Sequence, residues 1–171
     1  MGLLDILKQY ADPANVQPDR VNAHFDEVAQ QSSPQDLGGA VAAAFRSDAT
    51  PPFGQMVGDL FGRSDPQQRA GILNQILQSA GPAVLASLGG GVLGRVLGGA
   101  GTASATPPTV TPEQASQISP ADAGAIAAHA EKHDSSIIDM AGAFYAQHPT
   151  LVKSLGATAL AIALGQMHSQ R

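Results

Sequence analysis

The stretch Ser33 to Asp48, SPQDLGGAVAAAFRSD, returns in altered form at Ser119 to Asp134 as SPADAGAIAAHAEKHD. Aligned without gaps, the segments share Ser, Pro, Asp, Gly, two Ala and a closing Asp, and Arg46 and Lys132 match in charge. The alanine matches carry little weight in so Ala-rich a chain; the other identities fix the register. The likeness continues downstream. Met56-Val57-Gly58-Asp59-Leu60-Phe61 is echoed by Met140-Ala141-Gly142-Ala143-Phe144-Tyr145, and Pro66 by Pro149. Recurrence over this distance reads as a diverged internal duplication of a helical unit. It constrains architecture and is silent about activity.

Both segments open with the grammar of a helix start. Ser33 is placed to accept from a free backbone N–H, Pro34 stands where its missing N–H costs nothing, and Asp36 favours the positive end of the helix dipole. Ser119, Pro120 and Asp122 repeat the pattern. Leu37, Val41 and Phe45 then recur at helical spacing on one face. Further helices are predicted over Leu3–Ala11, Pro18–Gln31 (buried side Val21, Phe25, Val28), Pro52–Phe61 and Pro66–Ser79, with Thr50 and Ser64 as caps and Gly62 as a stop. In the second half, Thr111 caps a short helix carrying Pro112 and Gln114. Helices over Pro120–His133, Ser135–Gln147 and Pro149–Ser169 follow, the last read as a buried central helix. Caps are abundant and β-branched alternation is nearly absent, so the expected fold class is all-α, two related multi-helix units.

At 171 residues the chain is one domain or two very small ones. Charged residues make up 13%, against roughly 25% in an ordinary globular protein. There is no Trp, and the aromatics are five Phe and two Tyr. A core with so few large side chains requires helices that approach closely. The expected division is an N-terminal helical unit with two leading helices over 1–97, a flexible Gly/Ala/Thr/Pro linker over 98–110 and a C-terminal helical unit over 111–171. A net charge of −5 without a basic cluster argues against nucleic acid and anionic membrane surfaces as partners. The absence of cysteine excludes disulfides, thiolate nucleophiles and thiolate metal sites. The opening MGLLDILKQYADPANV lacks a basic n-region, carries Asp5 and Lys8 in its apolar run, and with Ile6 misses the myristoylation pattern, so the expected location is cytoplasmic, with unconventional export left open.

Pro82 to Gly99, PAVLASLGGGVLGRVLGG, is the least ordinary stretch. Gly90, Gly94 and Gly98 stand four apart, a row that would let two helices touch backbone to backbone. These three glycines are the candidate interaction face, for a second copy or another protein. Peripheral membrane association through 82–99 is the alternative reading. Against spanning, the helical part before Arg95 is shorter than the ~20 residues a bilayer requires, and the glycine run weakens a helix. A Gly-rich buried or frayed helix feeding the linker is the plainest reading.

His129 and His133 lie four apart on a predicted helix, the spacing of helix-borne metal pairs, with His148 or His168 as conceivable third ligands. The plainer reading is the solvated last turn of a helix, where His and Lys132 suit the dipole. There is no GxxxxGK[ST] and no Gly-x-Ser-x-Gly, and the glycine cluster follows no strand. Asp36 and Asp122 are explained as caps. Met56, Phe61, Met140 and Tyr145 are read as core. No catalytic, cofactor or metal residue is assigned and no cofactor is expected.

The Met-Gly-Leu-Leu-Asp opening, the short Ala/Gly-rich helices and the run Leu88 to Gly94, LGGGVLG, resemble the YidB-like group of small bacterial proteins. That resemblance implies a bacterial, helical protein, a family without a settled activity, and it transfers no site residue. The expected function is a protein–protein interaction or self-assembly module without catalytic activity. Peripheral membrane association and metal binding through the His pair are the competing readings.

Overall fold

A computed structural model of the chain describes residues 2–12, 17–81, 86–87, 91–96 and 109–170. Among the described residues every regular element is a helix. They are α1 (Leu3–Tyr10), α2 (Pro18–Gln31), α3 (Pro34–Arg46), α4 (Phe53–Arg63), α5 (Pro66–Ser79), α6 (Val92–Val96), α7 (Pro112–Ser116), α8 (Pro120–His133), α9 (Ser136–Ala146), α10 (Pro149–Lys153) and α11 (Ala157–Ser169). The fold is all-α.

The caps explain where the helices begin. Ser33 and Ser119 each accept from the backbone N–H of the aspartate three residues on, at 3.1 Å in both cases, with proline at the first helical position. Thr111 and Gln114 close a reciprocal capping box on α7. Two expected caps fall elsewhere. The α5 cap is Asp65, in a box with Gln68, because Pro66 takes the first helical position and the residue before it must cap. Ser64 instead donates to Leu60 O at 2.7 Å in the last turn of α4. Thr50 serves the preceding helix, donating to Ala44 O at 2.6 Å and Ser47 O at 2.8 Å. Helix α4 also runs past Gly62 to Arg63. The helix expected over Pro149–Ser169 is two, since Gly156 adopts φ 95°, a left-handed conformation that ends α10 and starts α11.

Spatial contact groups the chain into two compact units, Met1–Pro52 with Ile138–Arg171, and Phe53–Ile137. This partition follows contact across the chain, whereas the division at 98–110 follows composition along it. Residues 98–108 lie outside the described set. Val110, at the end of that stretch, is buried and clasped by Asn74, which accepts from Val110 N at 2.7 Å and donates to Val110 O at 3.1 Å.

In the first unit α11 is the central helix, packed against α1, α2 and α3. Ile6, Leu7, Val21, Phe25, Val28, Leu160 and Leu164 fill the space around it. Tyr10 and His24 are buried together, with the hydroxyl 2.8 Å from Nδ1. Arg46 grips Asp139 with two bonds of 2.7 and 2.8 Å, and Lys153 reaches Asp26 at 2.9 Å. The Arg46 fork holds the Asp139 carboxyl below its usual range. In the second unit α4 lies along α8, and α5 carries α7. Arg69 closes the end of α4, donating to the carbonyls of Phe61, Gly62 and Ser64 while its guanidinium lies over the Phe61 ring at 5.2 Å.

Tyr145 is fully buried edge-on to Phe45, and among the described residues its hydroxyl has no hydrogen-bond partner. Phe61, aligned with Tyr145 in sequence, is equally buried without that hydroxyl. Removing the stranded group costs nothing in polar contacts, so Tyr145→Phe is expected to raise stability at neutral pH by about 1 kcal/mol, measured by urea denaturation. A clear loss would mean that the hydroxyl is answered. Burial also raises both tyrosines above their ordinary value of 10.0, Tyr145 far more than Tyr10. Above that value the unfolded chain releases protons that the folded chain retains, so stability is complete below about pH 10 and falls as pH rises through it. Alkaline unfolding followed by circular dichroism should begin there and move to higher pH in Tyr145→Phe.

Candidate functional site

Of the expected interaction face, Gly94 lies half-buried in the short helix α6, and Gly90 and Gly98 lie outside the described residues. Close helix contact is found at other glycines. Along α4, Gly54, Gly58 and Gly62 form a row with the same four-residue spacing, and it faces Pro120, Gly124 and Ala128 of α8. A β-carbon at Gly54 would stand 2.6 Å from the Gly124 carbonyl oxygen and 2.6 Å from the Ala128 methyl, and one at Gly58 would stand 2.7 Å from the Pro120 carbonyl oxygen. The order of contacts makes the two helices antiparallel.

The first unit repeats this arrangement with α3 and α9. A β-carbon at Gly142 would lie 2.5 Å from the Gly38 carbonyl oxygen and 3.0 Å from the Ala42 methyl, and one at Gly38 would lie 3.1 Å from the Ala143 Cα. Arg46 and Asp139 tie the far end of the same pair. At this separation backbone meets backbone, and weak Cα–H···O contacts and dispersion replace interlocking side chains.

The histidine pair is also formed. The His129 and His133 rings lie 4.9 Å apart, and the Ser87 hydroxyl sits 2.7 Å from His129 Nε2. Among the described residues no group of three or more His, Cys, Asp or Glu gathers to hold a metal ion. Of the conceivable third ligands, His148 lies against Phe144. Nor is any described helix long and apolar enough to cross a membrane.

A cleft that sequence reading missed opens in the first unit, with a volume of about 410 Å³. Ala157, Ala161 and Gly165 form one wall on α11, beside Thr158 and Ile162. Tyr10, Pro18, Ser47 and Ala49 complete it. Only the spacing of the α11 residues was available as a signal in the sequence; the opposing wall comes from three separate segments.

No protein-family model, curated protein or solved structure matches this chain.

The glycine crossings make a direct prediction. Gly142→Ala and Gly54→Ala should each destabilise the protein by about 1–3 kcal/mol, because the added methyl meets backbone that cannot yield. Gly81→Ala, whose β-carbon meets nothing within 4 Å among the described residues, should stay within about 0.5 kcal/mol of the parent. Equal denaturation midpoints for all three would mean that the helices are not in backbone contact.

Proposed function

We propose that the chain is a non-catalytic self-association module, built by duplication of one helical unit and assembled through glycine-faced helix pairs. The resemblance of its opening and of Leu88–Gly94 to the YidB-like group adds the inference of a bacterial origin. The carrying observation is a crossed pairing. In the aligned segments, α3 and α8 are the leading helices and α4 and α9 the following ones. Helix α3 packs against α9 and α8 against α4, so each pair joins the leading helix of one copy to the following helix of the other.

The contacts agree in detail. Gly38 and Ala42 of α3 align with Gly124 and Ala128 of α8. Each set receives a glycine of its partner helix against the same carbonyl and the same methyl, Gly142 in one pair and Gly54 in the other. Sequence aligns Gly142 with Gly58 instead, one helical turn from Gly54, so the crossing point slid by a turn as the copies diverged. One chain thus carries both halves of each pair, and two chains are able to form the same pairs between them, an exchange requiring no new surface.

The chain has no cysteine, so engineered thiols report without interference. Arg46→Cys with Asp139→Cys puts one thiol on each member of the α3–α9 pair. After refolding at increasing protein concentration, a short bis-maleimide should link these positions between chains in a growing fraction, seen as a covalent dimer on a denaturing gel. Light scattering of the unmodified protein should show the matching dimer. Linkage only within the chain at every concentration, with a monomeric native mass, would refute the proposal.

A further inference from the structure

We propose that the cleft of the first unit binds a small, uncharged, mainly apolar molecule carrying a hydroxyl or carbonyl group. This rests on different residues from the self-association reading and stands without it. The volume of about 410 Å³ lies within the roughly 300–1,000 Å³ of small-molecule sites. The space exists because α11 presents Ala157, Ala161 and Gly165 at successive turns on the side facing it, leaving nothing larger than a methyl on that line. The opposite wall is anchored. A β-carbon at Gly165 would lie 3.1 Å from the Tyr10 carbonyl oxygen, so the end of α1 rests directly on α11, and Tyr10 is tied in turn to His24 of α2.

Charge decides the class of ligand. Among the described residues that line it, the phenol of Tyr10 is the one side chain that ionises. A carboxylate or ammonium entering this space would shed water with no opposite charge to receive it, which disfavours ions strongly. A neutral apolar body is favoured by the methyl and ring surfaces around it. The polar groups present suit a single neutral donor or acceptor. Ser47 and Thr158 bring hydroxyls, and the Tyr10 oxygen spends one hydrogen bond on His24, which leaves it a further bonding valence in either imidazole tautomer.

The test uses the full chain and the neutral fluorophore N-phenyl-1-naphthylamine. Its emission should rise to saturation at one site per chain. 1-Decanol should displace it, while decanoate and decylammonium of the same chain length should not. Ala157→Leu and Ala161→Leu place a larger side chain in the cleft and should weaken the fluorophore by about tenfold or more; Gly81→Ala, in the other unit, should leave it unchanged. Ala157 is half-exposed in the first turn of α11, so its variant is expected to keep the parent's circular dichroism and melting temperature. The site is refuted by non-saturating emission, or by undiminished binding in a folded Ala157→Leu. Equal displacement by the ions and the alcohol would refute the neutral class.

Discussion

The contact on which the rest of this fold depends is the seating of a glycine of one helix against the carbonyl oxygen of another, Gly142 on Gly38 and Gly54 on Gly124. No other residue type fits, because the β-carbon would enter the oxygen's van der Waals shell. The contact therefore fixes both partners, and each partner again offers a small residue one turn on, Ala42 or Ala128. Helices held this closely bury little side-chain surface per residue. They gain instead from many short backbone and methyl contacts, each small and collectively large.

Composition makes this solution necessary. With no Trp and few Phe and Tyr, the chain cannot fill wide spaces between helices. Most of the large side chains it has are fully buried, as Phe25 and Phe61 are, the latter with Arg69 over its ring. Elsewhere the helices must come together until small residues touch. Short helices are unstable alone, so the crossings also hold the secondary structure in place. Tyr145 shows the cost of departing from this scheme, since its hydroxyl enters a core that offers it no partner among the described residues.

Helix starts and buried faces were the most legible features. Ser33 with Asp36 and Ser119 with Asp122 cap as their spacing requires, and Val21, Phe25 and Val28 are buried as their period implies. Ser64 and Asp65 are both good caps, and only the position of Pro66 decides between them, a rule that sequence alone supplies. The break at Gly156 was hidden for a different reason. Many glycines of this chain sit inside helices, as Gly38, Gly58 and Gly124 do, so one more glycine announces no break until its φ is known. The row Gly54, Gly58 and Gly62 was in plain view, but Asp59 and Arg63 beside it made it less conspicuous than the uncharged run containing Gly90, Gly94 and Gly98. Which helix meets which was not legible, because a helical period records that a face is buried and not what buries it.

The same small-residue habit accounts for the cleft. Stripes of Gly and Ala at four-residue spacing recur among the described helices, and three of them show how the spaces between helices are filled. Two are closed along their length by a facing helix, α9 on Gly38 and Ala42, and α8 on Gly54 and Gly58. The third, Ala157, Ala161 and Gly165 on α11, lines the cleft, and the last residue of α1 rests against it at Gly165. Two methyls and a glycine on this line leave a concavity, not a ridge, and the described residues bordering it add hydroxyls but no charged side chain. A core assembled from small residues seals wherever two stripes meet. Where such a stripe faces several separate segments instead, as on α11, the same chemistry that would have received a helix backbone leaves an apolar hollow of molecular size.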